Sequence, residues 1–207
     1  MTDEIVWVSG APKDSTLVKG FDNDLRVADR MDAVKRNDAG EALPPERFPK
    51  EFYRKSHEKA QRLPDLANSG GFWLVSAAVA DVLRSGNLGR TSLYTTQVFR
   101  NRKKTPLEGA YFCLNFGEQK RAFLPELSPL AERNWYDKID RGYRYLPSLP
   151  KDGDIAVDRT ARDGPDLWVD PLLRDGFFLS DRLVRALRAA KLTRRLSLRR
   201  CRVIQRS

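Results

Sequence analysis

Two stretches of the chain carry nearly the same order of apolar and polar positions. In the first, residues 72–90, the bulky run Phe72 to Val75 is followed by Ser76, and then by Val79, Val82, Leu83 and Gly86 at i, i+3, i+4 and i+7. The unbroken apolar run predicts a strand and the later spacing predicts a helix. Ser76 stands where a hydroxyl accepts from the free amides of a first helical turn. Gly86-Asn87 suits the left-handed conformation that closes a helix. In the second, residues 177–194, Phe177-Phe178-Leu179 leads to Ser180, and Asp181 falls where a carboxylate suits the helix dipole. Leu183, Val184, Leu187 and Ala190 supply the apolar stripe, with Arg182, Arg185 and Arg188 on the opposite face. Ser76/Ser180, Leu83/Leu187, Arg84/Arg188, Leu88/Leu192 and Arg90/Arg194 are identical. A short strand–serine–helix unit is thus predicted to occur twice.

The rest of the pattern is less regular. Ile5 to Val8 reads as an opening strand, and Gly10, Pro12 and Gly20 make residues 9–24 a region of turns. Residues 25–63 are charged and broken by Pro44, Pro45 and Pro49, with helical pieces predicted around 50–62. Ser92 to Arg100 and Ala110 to Phe116 read as an antiparallel hairpin. Residues 117–150 are looser and hold Trp135, Tyr136, Tyr143 and Tyr145. Gly153 to Asp158 is strand-like, and a closing strand is predicted through Leu196, Leu198, Cys201, Val203 and Ile204. The fold class is α+β, with antiparallel strands packed against helices. An N-terminal segment, 1–69, is expected to pack on an α+β core, 70–207, in one compact domain.

Charge changes this picture at one end. The formal net charge is +10, yet residues 181–207 hold ten basic side chains against Asp181 alone, which leaves 28 basic and 27 acidic residues in the first 180. The body is electrically balanced, so any electrostatic steering belongs to the C-terminal helix and strand. Composition is otherwise that of a globular chain, at 41% hydrophobic and 10% aromatic. The start, Met1-Thr2-Asp3-Glu4, is acidic where a signal peptide is basic, and no apolar run reaches the ~18–20 residues that span a membrane. A cytosolic protein without membrane contact is expected.

Candidate chemistry is sparse. Cys113 and Cys201 read as buried free thiols, because two separated cysteines make no disulfide framework. Asp152-Gly153-Asp154 with Asp158, and Asp22-Asn23-Asp24, come near a calcium loop but place Ala156 and Arg26 at the third ligand position. Turn-forming acids account for them better. His57, the single histidine, lies in a charged segment and reads as a surface residue. No phosphate loop or nucleophile elbow is present, and nothing singles out a catalytic pair among the 28 acids. Neither an enzyme nor a cofactor is expected. The arginines of the C-terminus have three readings: a solvated face paired with the body's acids, a surface for an acidic protein, or a nucleic-acid surface using the helix and the strand after it. Trp135 and Tyr143 are candidate interface anchors beside Arg182, Arg185 and Arg188.

Three ordered segments carry a family resemblance. They are Gly71-Phe72-Trp73-Leu74-Val75-Ser76 with Val82-Leu83-Arg84; Asn115-Phe116-Gly117-Glu118 with Phe123-Leu124-Pro125-Glu126; and Asp166-Leu167-Trp168-Val169-Asp170-Pro171 with Phe178-Leu179-Ser180-Asp181, Ala186-Leu187 and Ala190. Together they resemble an α+β family of immunity proteins from bacterial polymorphic toxin systems, over roughly residues 60–205. The chain departs from that family at Lys191, where the family has glycine before the leucine. The resemblance implies a protein that binds and neutralises a cognate toxin, encoded beside it, by stoichiometric contact. It transfers no binding residue.

Overall fold

The structure is a computed structural model that describes residues 5–54, 62–101, 105–132 and 142–205. Among these residues lie three α-helices, α1 (Val27–Asp38), α2 (Ala77–Arg84) and α3 (Asp181–Ala189). The strands of the first half are β1 (Val6–Ser9), β2 (Phe21–Asn23), β3 (Glu51–Arg54), β4 (Leu66–Ser69), β5 (Phe72–Ser76), β6 (Ser92–Phe99) and β7 (Tyr111–Asn115). Those of the second are β8 (Arg144–Tyr145), β9 (Ala156–Asp158), β10 (Leu167–Trp168), β11 (Leu173–Arg174), β12 (Phe177–Ser180), β13 (Leu198–Arg200) and β14 (Arg202–Ile204). A six-stranded sheet runs in the order β2-β3-β6-β7-β5-β4, and a four-stranded sheet in the order β10-β12-β1-β13. Pairing within both is antiparallel except for β3 with β6. The short parallel pairs β8·β11 and β9·β14 complete the set. The architecture is mixed α and β, with antiparallel strands dominant.

Why β5 and β12 read as unbroken apolar runs is clear from their two faces. Trp73 and Val75 belong to a core cluster with Val79 and Leu83 of α2, Leu183, Val184 and Leu187 of α3, and Trp7 of β1. Phe72 and Leu74 face the opposite way, into a cluster with Phe48, Phe52 and Val98. Along β12, Phe177 and Leu179 join the first cluster while Phe178 enters a third with Val6, Val8 and Trp168. A strand buried on both faces needs no polar alternation. Both helices therefore pack where the two sheets meet, and Trp73 and Phe177 touch there with ring centroids 6.3 Å apart.

The helix starts are local and similar. The Ser76 hydroxyl accepts from Val79 N and donates to Asp65 Oδ1 at 2.8 Å, and Ser76 N donates to Asp65 O. The Ser180 hydroxyl accepts from Leu183 N and donates to Asp166 Oδ1 at 2.6 Å, and Ser180 N donates to Asp166 O. Each aspartate directly precedes the strand, β4 or β10, that pairs with the one feeding the helix.

Several expectations are corrected. Residues 51–54, taken as part of a helical piece, form β3, because pairing with β2 and β6 outweighs a weak local preference; the rest of that piece, with His57, lies outside the described residues. Helix α1 was not expected at all. Its inward residues are Ala33 and Asn37, while Val27 and Met31 are 61% and 67% exposed, so it has little apolar stripe. Hydrogen bonds dock it instead: Asn37 Nδ2 donates to Leu114 O, and Asn37 Oδ1 accepts from Asn115 Nδ2 and Phe116 N. Gly86 does not enter the left-handed region. A Cβ there would lie 2.9 Å from Asp166 Oδ2, so the residue is small because a carboxylate passes over it. Ala190 is exposed, and the predicted closing strand divides into β13 and β14 around buried Cys201.

Lys191 has φ 60°. Its amide donates to Arg188 O and that of Leu192 donates to Leu187 O, the paired bonds of a helix closed by a left-handed residue. Glycine takes this conformation without Cβ strain, and the strain relieved exceeds the chain entropy that glycine adds. Lys191→Gly is expected to raise stability by about 0.5–1 kcal/mol in urea denaturation. A loss of the same size would show that the turn carries no strain.

Candidate partner interface

The three arginines of α3 share an exposed face because Leu183, Val184 and Leu187 take the buried one. Their surroundings differ. Arg182 Nη2 donates to Asp166 Oδ2 at 2.5 Å, its own side chain 64% exposed and that of Asp166 4%. Arg185 Nε lies 3.3 Å from Asp181 Oδ2, one turn back on the helix. Arg188 rests on an aromatic face: its guanidinium sits 4.3 Å from the centroid of the Trp7 ring.

Trp7 organises a groove. It occupies β1, between β12 and β13, is 3% exposed, and donates from Nε1 to Asp181 Oδ1 at 2.9 Å. Arg188 of α3 and Arg200 of β13 both lie over its ring, the second at 5.5 Å. Lys151, Asp152, Leu198 and Arg199 complete a shallow hollow of about 430 Å³. Asp152 is the single acid of that lining: it accepts from Arg200 N at 2.8 Å and lies 3.9 Å from Arg200 Nε. Arg199 Nε donates to Pro150 O at 2.6 Å. A guanidinium resting on an indole is worth about 0.5–2 kcal/mol and is held in one place, so less ordering is left for a ligand to impose. Arginine keeps its proton, so the guanidiniums of the groove suit recognition of oxyanions.

The other candidate residues fall elsewhere. Tyr143 meets Tyr145 edge-on at 5.6 Å, with the Arg174 guanidinium 5.1 Å from its ring centroid. Arg174 in turn lines a cleft of about 280 Å³ whose floor includes Trp73, Phe116 and Phe177, and whose rim includes Asp14, Asp38 and Asp175. Burial pushes the Asp38 carboxyl up to about 6, with Arg174 opposing. Asp38 keeps exposed surface, and water there offsets part of that cost. No residue lines both the cleft and the groove. Trp135 lies outside the described residues. Sequence reasoning thus found Arg188, joined Arg199 and Arg200 to it only in the nucleic-acid reading of the C-terminal helix and strand, and missed Trp7 and Lys151. The one local signal was a tryptophan between two valines in an opening strand.

The cysteines and the calcium-like acids are in structural use. Cys113 and Cys201 are free and buried, and burial pushes both thiols well above their ordinary range, which suppresses the nucleophilic thiolate. Asp24 Oδ1 accepts from Lys50 N and Glu51 N, and Asp154 Oδ2 from Lys151 N, so the calcium-like acids hold turns. Among the described residues no three His, Cys, Asp or Glu side chains gather as metal ligands. The chain matches no protein-family model and no curated protein.

Burial raises the Asp166 carboxyl, but hydrogen bonds from Ser180, Arg182 and Asn87 N outweigh it and hold the group below the usual carboxylate range. Its stabilisation is therefore complete above the unfolded value of about 4 and is lost as pH falls through the lower folded value. Arg182 is largely solvated and adds only about 0–1 kcal/mol. Asp166→Ala strands the buried donors, and is expected to cost about 2–4 kcal/mol at pH 7. The variant should also lose part of the wild type's stability decline below pH 4. Urea titrations at pH 7 and pH 3 check both; equal stability at pH 7 contradicts the assignment.

Proposed function

We propose that this protein captures one protein partner stoichiometrically, as an immunity protein that covers the active site of a cognate toxin encoded by the adjacent gene. It acts in the cytosol, without a cofactor and without turnover of its own. The observation that carries this reading is the groove over buried Trp7, whose lining sets four cations, Lys151, Arg188, Arg199 and Arg200, against Asp152, with Asp181 bonded to the indole and to Arg185. Such a patch speeds encounter with an acidic face and sets its orientation. The three sequence segments that resemble the immunity family support the same reading. We further propose that the two strand–serine–helix segments are one repeated unit, since Asp65–Ser76 and Asp166–Ser180 make matching pairs of bonds.

Nucleic acid is the second reading, because the same cations suit phosphate. A strand binder needs a basic track along the backbone, usually with aromatic faces open for stacking. Here the cations form one local hollow, Trp7 is covered, and the first 180 residues are nearly neutral. Those features favour a protein.

The test is co-expression with the product of the neighbouring reading frame. Rescue of growth and co-purification in equal amounts are expected. Arg185→Glu with Arg188→Glu should slow association at low salt about tenfold or more, and should flatten its salt dependence. Absence of rescue and of co-purification would overturn the reading; an unchanged association rate would remove the arginines from it.

A further inference from the structure

On the loop that leads into the Trp7 groove at Lys151 stands a side chain that the body leaves in water. Leu149 is 88% exposed. A lone exposed leucine is ordinary on a protein surface. This one is distinguished by how its loop is held. Pro147 and Pro150, on either side of it, are buried, and the Pro150 carbonyl accepts from Arg199 Nε at 2.6 Å. Lys151, two residues on, lines the groove. Two residues of chain span about 7 Å at most, so Leu149 stands within that reach of Lys151, one of the groove's cations. The proline rings fix φ at each end, which lowers the ordering cost when the leucine is covered.

We propose that the groove and Leu149 form one docking site for an acidic, amphipathic segment of a protein partner. Carboxylates of that segment lie against Arg188 and Arg200 above Trp7, and an apolar side chain of the same segment covers Leu149. The commitment to this occupant comes from charge complementarity, four cations against Asp152 and the Asp181 that holds the indole, joined to an apolar contact that a phosphate backbone does not supply. This inference rests on the capture reading above and names the chemistry of the partner's contact element.

Fluorescence anisotropy with three labelled probes of equal length tests it: an alternating glutamate–leucine peptide, an alternating glutamate–serine peptide, and single-stranded oligothymidylate. The glutamate–leucine peptide is expected to bind about fivefold or more tighter than its serine counterpart, the gain from one partly buried leucine contact. Leu149→Ser should abolish that difference and leave the serine peptide's affinity unchanged. Arg188→Glu should weaken both peptides about tenfold. Equal affinity for the two peptides, or oligothymidylate binding as tight as the glutamate–leucine peptide, overturns the inference. If neither peptide binds while the neighbouring gene's product still co-purifies, the site fails and the capture reading stands. If the peptides bind as expected and that product does not co-purify, the capture reading fails and the site stands.

Discussion

A carboxylate at the head of a strand holds the shared layer of this fold together. Asp166 lies under the end of α2, where it accepts from Asn87 N at 2.6 Å, and at the start of α3, where it accepts from the Ser180 hydroxyl and from Arg182. Left without these donors, a buried charge of this kind would cost several kcal/mol. The close of one helix and the opening of the next are therefore fixed relative to each other, and Gly86 leaves room for the carboxylate to pass. The direction of α3 places Arg188 over Trp7, so the groove inherits its geometry from this buried group.

The basic C-terminus is bound into the molecule at many points. Arg199 and Arg202 donate to the carbonyls of Pro150 and Leu127, Arg195 lies 4.0 Å from Asp14, and Arg200 lies near Asp152. Each exposed ion pair contributes little alone. Collectively they convert a run of positive charge into a fixed surface that includes the Trp7 groove. The reading in which the arginines pair with the body and the reading in which they meet a partner are thus compatible: pairing sets their positions, and the excess over Asp152 remains available to an anion.

What the sequence disclosed was local. Ser76 and Ser180 cap their helices from within a few residues, and β5 and β12 announce themselves by runs with no polar break. The β6–β7 hairpin follows from two apolar runs and a turn. What escaped was settled at long range. Helix α1 docks through Asn37, whose partners Leu114, Asn115 and Phe116 lie far along the chain, and no periodicity signals a helix held by amide hydrogen bonds. Strand β3 exists because β6 lies alongside it. The small size of Gly86 suggested a helix-closing conformation, yet its cause is the distant Asp166. For the candidate site, α3's arginines were legible as a face. Their meeting with Trp7 required β1 to run between β12 and β13, which joins the first residues of the chain to the last.

Arginine-selective labelling of the protein, free and in complex with the neighbouring gene's product, tests the central claim directly. If the groove around Trp7 is the contact surface, Arg188 and Arg200 lose reactivity in the complex while Arg36 on α1 does not. Equal labelling of Arg188 and Arg200 in the two states would contradict it.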